Sequence, residues 1–177
     1  MNLIFRKYSK IYYDKSFNLY SKKLDNKLTI SYPNKRIMRV IQKNKVSIFD
    51  KLYKTYCLDQ IKFEDSDLII DCGANVGELN YSFYYKNISI NYIGFEPDKD
   101  TYNCLKINKI RESDKVNNFA LSNKNGEADL YVDGFGGNSS LEYFGDDKSI
   151  IIQTKTLDSL KIETPIKLFK VEAEGHE

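Results

Sequence analysis

The chain has 177 residues, of which 41% are hydrophobic and 29% charged, a composition typical of one soluble globular domain. No apolar run approaches the roughly 20 residues that a membrane-spanning helix needs. The three cysteines Cys57, Cys72 and Cys104 are odd in number and lack C-x-x-C spacing. This argues against a disulfide framework and a zinc site, and favours a reducing, cytoplasmic compartment.

Positive charge is concentrated in the first third of the chain. Residues 1–62 contain 15 Lys and Arg against 4 Asp and Glu, whereas residues 63–177 contain 12 against 21. A basic segment of this kind can contact an anionic surface, such as acidic glycans or phospholipid headgroups, or it can pack beside an acidic domain. Both interpretations stay open, and we expect no nucleic-acid partner.

The spacing of apolar residues predicts short elements before residue 60. Ile4, Tyr8 and Ile11 fall near helical spacing, so we predict a basic amphipathic helix in the first two dozen residues. Next we predict two strands separated by a Pro-Asn-Lys turn, and after them a helix with an apolar stripe. The strands are Leu28–Tyr32 and Ile37–Ile41, and the stripe is Val46, Phe49, Tyr53 and Tyr56.

From residue 68 onward, apolar runs alternate with helical segments, which predicts an α/β fold with a mostly parallel sheet and helices on both faces. The parallel strands are Leu68–Ile70, Tyr92–Phe95, Val116–Leu121 and Ile166–Val171, and the helices are Val76–Lys86 and a segment from Asp98, its cap, to Lys109. Two further strands, Ala128–Val132 and Ile150–Thr154, flank a glycine-rich loop at 134–140. Because the chain ends after the fourth parallel strand, we expect the C-terminal part of the fold to be missing.

A glycine-bearing turn follows the first parallel strand. Asp71 ends that strand, and Gly73 and Gly77 bracket the turn before the next helix. Ligands of parallel sheets bind at the carboxyl ends of the strands, where glycine lets the backbone come close and the helix N-terminus favours an anion. Asp71 would suit a cationic group on the same ligand.

Glu96 ends the second parallel strand, 25 residues after Asp71, where a carboxylate can accept both hydroxyls of a ribose. A nicotinamide-dependent oxidoreductase would use the same residue. Its G-x-G-x-x-G fingerprint is absent, however, because Asn75 and Glu78 stand where the second and third glycines belong. The pattern favours a nucleoside-type ligand without a pyrophosphate.

Several short segments occur in a specific order. They are 70–78 (Ile-Asp-Cys-Gly-Ala-Asn-Val-Gly-Glu), 94–97 (Gly-Phe-Glu-Pro), 118–122 with Gly126, 139–141 (Ser-Ser-Leu), 156–158 (Thr-Leu-Asp) and 170–177 (Lys-Val-Glu-Ala-Glu-Gly-His-Glu). From about Phe49 to its end, the chain thereby resembles the FkbM-type family of S-adenosylmethionine-dependent methyltransferases. On this basis we divide it into a basic N-terminal extension, 1–45, and a methyltransferase domain, 46–177.

The resemblance implies a Rossmann-like fold, S-adenosyl-L-methionine as cofactor, and methyl transfer to an oxygen of a saccharide or another small metabolite. It also implies which residues bind the cofactor. The methionine part would contact Asp71, Gly73, Ala74, Asn75 and Gly77, the ribose would contact Glu96, and the adenine side would lie along Asn118–Ala120.

A hydroxyl acceptor needs a general base near the transferred methyl group. Glu172 and His176 follow the fourth parallel strand and are the catalytic candidates, and no metal site is expected. The family pattern there reads K-x-D-x-E-G, and this chain has Glu172 where Asp is usual. Together with the expected loss of the C-terminal part, this makes a truncated, non-catalytic remnant that keeps cofactor binding a second hypothesis. Asp158 is expected to cap a short helical turn, and a substrate contact is the alternative.

Overall fold

The computed structural model describes residues 11–41, 45–131 and 149–172. Strands and α-helices alternate from residue 45 to residue 117, with strands before and after this part. The strands are β1 (Ile11–Asp14), β2 (Leu19–Lys23), β3 (Thr29–Tyr32), β4 (Leu68–Cys72), β5 (Asn91–Phe95), β6 (Lys115–Asn117), β7 (Ala120–Leu121), β8 (Gly126–Tyr131), β9 (Ser149–Lys155) and β10 (Ile166–Val171). The α-helices are α1 (Lys45–Thr55), α2 (Glu78–Tyr85) and α3 (Lys99–Ile107), and short 3-10 helices occur at Lys35–Val40, Leu58–Gln60 and Asp158–Leu160.

A parallel sheet with strand order β10-β4-β5-β6 forms the centre of the described structure. All five residues of β4 are buried, as expected for an apolar strand with a partner on each side. In the register of this sheet, Asp71 lies opposite Lys170 of β10 and opposite Gly94 of β5. The predicted parallel sheet within a mixed α/β architecture is confirmed.

Two smaller sheets flank the parallel one. Strands β1, β2 and β3 form an antiparallel meander, and β9 pairs with β7 in parallel and with β8 in antiparallel orientation. The predicted strands at residues 28–32, 128–132 and 150–154 are confirmed within one or two residues over the part that is described.

The two faces of the parallel sheet bury different partners because neighbouring residues of a strand point to opposite faces. Ile69 packs on the side of α1 and α2, in a cluster with Tyr53 and Phe83. Ile70 packs on the other side with Phe119, Leu121 and the turn residues Leu157 and Leu160. In the described residues the second face is thus covered by strand and turn residues, and a helical cover there stays a prediction.

The predicted amphipathic helix is wrong for residues 11–24, which form the β1–β2 hairpin. The Asp14 side chain accepts a hydrogen bond from the Ser16 N–H at 2.8 Å, an Asx turn that ends the extended run. Asn18 then adopts a left-handed φ of 51°, a conformation that asparagine tolerates and a helix does not contain. Residues 1–10 lie outside the described part.

Two strand predictions also need correction. Residues 35–40 form a 3-10 helix rather than a strand, because the Asn34 side chain caps the Arg36 N–H and the apolar residues Ile37 and Val40 are buried three positions apart. The third parallel strand ends at Asn117, and the chain then joins another sheet as β7. The Asn118 side chain fixes this bend by donating to the carbonyl oxygens of Glu96 and Pro97, both at 2.9 Å.

The N-terminal meander is joined to the rest of the chain by a shared core. Its buried residues pack with Phe49 of α1, Tyr81 of α2 and Cys104 of α3, and with Val76 just before α2. The cluster contains Leu19, Leu24, Ile30, Tyr32, Ile37, Val40, Phe49, Val76, Tyr81 and Cys104. A domain boundary at residue 45 stays a prediction.

Asn108, at the end of α3, anchors β3 to the site-bearing region. Its amide oxygen accepts the Ser31 N–H at 2.8 Å, and its amide nitrogen donates to the Ser31 and Val76 carbonyls at 2.9 and 2.8 Å. The residue is 3% exposed. One side chain thus completes the edge of the meander and holds it beside the segment that follows β4.

We expect Asn108→Ala to lower the free energy of unfolding by about 2–4 kcal/mol, because it leaves three buried backbone groups without partners. Urea unfolding followed by circular dichroism measures the change. The control is Asn123→Ala in an exposed turn, which should shift stability by less than about 0.5 kcal/mol. Equal effects of the two substitutions would contradict the anchoring role.

Candidate functional site

The carboxyl ends of β4, β5 and β10 open into one cleft with a volume of about 860 Å³. One side of the cleft is built by the turn after β4 and by Glu96 after β5. Residues of α1 and of the 3-10 helix 35–40 line the cleft as well. This is the edge at which parallel sheets bind ligands, and the sequence placed its candidate residues there.

A buried ion pair lies at the floor of the cleft. The Lys170 ammonium is 3.0 Å from Asp71 Oδ1 and also donates to the carbonyl oxygens of Cys72 and Gly73, at 3.2 and 2.8 Å. The side chains of Lys170 and Asp71 are 8% and 1% exposed. Burial raises the pKa of Asp71, and Lys170 opposes that rise. For Lys170, burial acts to lower the pKa, but the attraction of Asp71 and other acidic groups prevails and raises it.

The second oxygen of Asp71 accepts a hydrogen bond from the Tyr92 hydroxyl at 2.6 Å. Tyr92 reaches Asp71 by crossing Gly94, which lies opposite Asp71 in the sheet. A Cβ on Gly94 would lie 3.0 Å from both the Cε1 atom and the hydroxyl oxygen of Tyr92, and 3.1 Å from the Ala74 Cβ. Gly94 is therefore needed for this buried hydrogen bond.

The turn 73–77 has no free backbone donor. The N–H groups of Gly73 and Ala74 both donate to the carbonyl oxygen of Phe95, and that of Asn75 donates to Glu96 Oε2. The N–H groups of Val76 and Gly77 donate within the turn, to Asn75 Oδ1 and to the Ala74 carbonyl oxygen. All five distances are 2.9–3.1 Å. The left-handed φ values of Gly73, Asn75 and Gly77 make this tight path accessible. The turn is thus held in shape by the end of β5, and a ligand would meet its surface rather than its N–H groups.

The Glu96 carboxylate is buried at the cleft wall, with 7% of the residue exposed. Its oxygens accept the backbone N–H groups of Asn75 and Asp98, both at 2.9 Å. Burial raises the pKa of Glu96 to about 7, although these two hydrogen bonds oppose the rise. Each carboxylate oxygen has a second lone pair, so the group can accept further hydrogen bonds from a ligand.

Glu172 follows β10 at the mouth of the cleft. Its carboxylate lies 3.2 Å from Lys170 Nζ and accepts a hydrogen bond from the hydroxyl of Tyr56, the residue after α1. Partial burial acts to raise the pKa of Glu172, but the Tyr56 hydrogen bond and the Lys170 charge prevail and lower it. The carboxylate is therefore ionised at neutral pH.

Residues 71–177 match the family model described as Methyltransferase FkbM domain, which is more than half of the chain. The chain belongs to the FkbM methyltransferase family. No curated protein matches it. Among solved structures it is similar to the FkbM methyltransferase of Methylobacillus flagellatus KT, with 16% sequence identity and a TM-score of 0.48. That match covers 73% of this chain and 33% of the other, so the chain spans about a third of that protein's length.

Most of the predicted site residues of this FkbM chain line the cleft. They are Asp71, Gly73, Ala74, Asn75, Glu96, Ala120 and Glu172. Gly77 and Asn118 lie behind it: a Cβ on Gly77 would be 3.0 Å from Leu105, and Asn118 holds the Glu96-Pro97 backbone. His176 lies outside the described residues, as does the glycine-rich loop 134–140. The predicted helical turn is present as Asp158–Leu160, but Leu157 rather than Asp158 occupies its cap position, and the Thr156 hydroxyl oxygen accepts the Ser159 N–H.

Sequence reasoning missed two tyrosines of the site. Tyr92 and Gly94 are two residues apart on β5, so they face the same side of the sheet. A large residue beside a glycine in this way could have indicated that the Tyr92 ring lies over the space left by the missing side chain of Gly94. Tyr56 was predicted only as part of an apolar helical stripe. It lies just after α1, and its hydroxyl contacts Glu172, 116 positions away in sequence. No local pattern identifies that contact.

Within the part of the chain that the structure describes, no helix meets the length and apolarity required to cross a bilayer.

We expect Lys170→Met to lower the free energy of unfolding at pH 8 by about 3–5 kcal/mol, because Asp71 is left as an uncompensated buried charge. Without Lys170, the pKa of Asp71 in the folded state rises further above its unfolded value. The folded variant then binds a proton more readily than the unfolded one, so its deficit should shrink as the pH falls from 8 to 5.

Urea titrations at both pH values measure this change. Lys167→Met, an exposed lysine on the same strand, is the control and should be nearly neutral. A deficit for Lys170→Met that is independent of pH would show that lost packing, rather than the charge of Asp71, causes it.

Proposed function

We propose that the cleft binds S-adenosyl-L-methionine and that the chain contributes to methyl transfer to a hydroxyl oxygen of a saccharide or another small metabolite. The observation that carries the proposal is the meeting of the turn 73–75 and the Glu96 carboxylate in one cleft, at the ends of neighbouring parallel strands. Membership of the FkbM family supports the reaction class. A Rossmann-like arrangement of the complete fold is part of the same proposal.

The residues of the cleft fit this cofactor. A volume of about 860 Å³ lies in the range of sites for ligands of this size. Glu96 offers acceptor lone pairs for ribose hydroxyls, and Ala120 and Leu121 offer an apolar surface for a planar base. When bound, the cofactor supplies an electrophilic methyl group on a sulfonium.

Asp71 has a different part in this proposal from the direct ligand contact expected at first. Both of its oxygens are engaged, by Lys170 and Tyr92, and the side chain is almost fully buried. Its role is to hold Lys170, whose ammonium then holds the carbonyl groups of Cys72 and Gly73 at the start of the turn. Asp71 thus positions the turn that a methionine moiety would meet.

Glu172 is the proposed contact for the acceptor hydroxyl. It stands at the end of β10, beside the floor of the cleft, with its carboxylate oriented by Tyr56 and Lys170. An ionised carboxylate accepts a hydrogen bond from a hydroxyl and can take its proton as the new bond forms. Because its pKa is lowered, orientation of the acceptor contributes more to rate than basicity does.

A cytoplasmic location belongs to the proposal as well, on the ground of three cysteines with no regular spacing.

We expect S-adenosylhomocysteine, the product form of the cofactor, to bind the folded chain in isothermal titration calorimetry. NAD, titrated in parallel, tests the oxidoreductase alternative, and the absent glycine fingerprint predicts no heat from it. Folded protein that gives no heat with S-adenosylhomocysteine would refute the proposal, and binding without methyl transfer would favour the non-catalytic remnant.

The pKa of Glu96 predicts how that binding depends on pH. Ribose hydroxyls donate to the ionised carboxylate, and a group with a pKa of about 7 is mostly protonated at pH 6 and mostly ionised at pH 8. We therefore expect binding of S-adenosylhomocysteine to be about tenfold weaker at pH 6 than at pH 8. Calorimetric titrations across this range measure it.

Glu96→Gln should bind more weakly at pH 8 and lose the pH dependence, because the amide does not titrate. The exposed Glu163→Gln should behave as the parent chain does. A pH profile that survives in Glu96→Gln would assign the titration to another group and remove Glu96 from the ribose contact.

A further inference from the structure

Two arginines of the 3-10 helix 35–40 line the cleft. They are Arg36 and Arg39. They are three residues apart, and a 3-10 helix has three residues per turn, so their side chains lie one above the other on the same face. Lys51 of α1 also lines the cleft. We call Arg36, Arg39 and Lys51 the basic wall.

The helix that carries the arginines is firmly placed. Ile37 and Val40, on its inner face, are each 1% exposed and belong to the core shared with α1 and α2. The Asn34 side chain caps its first turn by accepting the Arg36 N–H at 2.9 Å. The direction in which Arg36 and Arg39 project is therefore set before any ligand arrives, which limits the entropy that binding would cost.

Arg39 keeps guanidinium donors that a ligand can use. Arg39 Nη1 lies 3.5 Å from Glu78 Oε2, and the Arg39 side chain is 47% exposed. The other carboxylate oxygen of Glu78 accepts a hydrogen bond from the Tyr32 hydroxyl at 2.5 Å. Arg36 is half-buried, and its charge contributes to the lowered pKa of Glu172, so it lies within electrostatic reach of the proposed acceptor contact. A guanidinium has five N–H donors, and no single carboxylate uses them all.

Both acidic and basic side chains line the cleft. Glu96, Asp98 and Asp100 are among the acidic ones, and the proposed cofactor carries a sulfonium and an ammonium against one carboxylate. The basic wall belongs to residues 36–51, outside the matched family domain at 71–177. Side chains of both signs allow one cavity to bind a cationic ligand together with an anionic one.

We propose that the methyl acceptor carries an anionic group, a phosphate, sulfate or carboxylate, and that Arg36 and Arg39 bind this group while a hydroxyl of the same molecule reaches Glu172. Planar guanidinium groups bind such oxyanions in bidentate fashion. The assignment rests on the proposed function and names the substrate class of the same site. It also gives part of the basic N-terminal segment a defined use inside the cleft.

The test is calorimetric titration of the chain, free and saturated with S-adenosylhomocysteine, with glucose 6-phosphate, glucuronate, glucose and inorganic sulfate. We expect the two anionic sugars to bind at least about tenfold more tightly than glucose, and sulfate to compete with them. Their affinity should fall as NaCl increases. No binding by any of the anions, or equal binding of glucose, would overturn the proposal.

Arg36→Gln and Arg39→Gln should each weaken glucose 6-phosphate binding by about tenfold and leave the affinity for S-adenosylhomocysteine within about twofold. Arg39→Lys should fall between the parent and Arg39→Gln, because it keeps the charge but not the planar fork. Lys35→Gln is the matched control, since Lys35 is exposed on the same helix and does not line the cleft. Thermal unfolding shows whether each variant is folded.

The titrations separate the two proposals. If the arginine substitutions weaken S-adenosylhomocysteine and leave glucose 6-phosphate unchanged, the arginines hold the cofactor's carboxylate, and the assignment of an anionic acceptor is wrong. If S-adenosylhomocysteine does not bind at all but the anionic sugars still bind through Arg36 and Arg39, the proposed function fails and the anion site stands.

Discussion

The buried pair of Asp71 and Lys170 is the interaction on which the site depends. It joins neighbouring parallel strands at their carboxyl ends, and the same ammonium holds the carbonyl groups of Cys72 and Gly73. A single buried lysine therefore fixes where β4 ends and where its turn begins. Burying two charges costs several kcal/mol, which the mutual attraction and the added hydrogen bonds offset only in a well-formed geometry. The arrangement thus favours a precise strand edge more than it favours overall stability.

The cleft combines three elements with separate structural supports. The turn 73–77 is held by the end of β5, Glu96 is held by two backbone N–H groups, and the 3-10 helix with Arg36 is held by its apolar inner face. Because each support is independent of a ligand, the walls of the cleft are preorganised. The family match covers the first two elements and not the third. In our proposals, the cofactor would contact the first two elements and the anionic acceptor would contact the third.

Particular residues show why some elements could be predicted from the sequence and others could not. The strand ending at Asp71 and the helix capped by Asp98 were predictable, because an apolar run of the right length and a capping side chain act locally. Residues 11–24 were misassigned because a few apolar positions fit the period of a helix as well as that of a strand. Asp14 and Asn18 decide between the two by forming a turn. Ile37 and Val40 were misassigned because burial three residues apart follows from packing against Phe49 and Tyr81.

The amino-acid sequence by itself determined the order of strands and helices from β4 to α3, the glycine turn after β4, and the placing of Asp71, Glu96 and Glu172 at strand ends. These features depend on periodicity and on residue types within a few positions of one another. Only the tertiary structure decided that Tyr56 contacts Glu172, that Tyr92 crosses Gly94 to reach Asp71, and that Arg36 faces the cleft. The physical reason is that these contacts join segments far apart in the chain, and their geometry exists only once the sheet register and the shared core have brought those segments together.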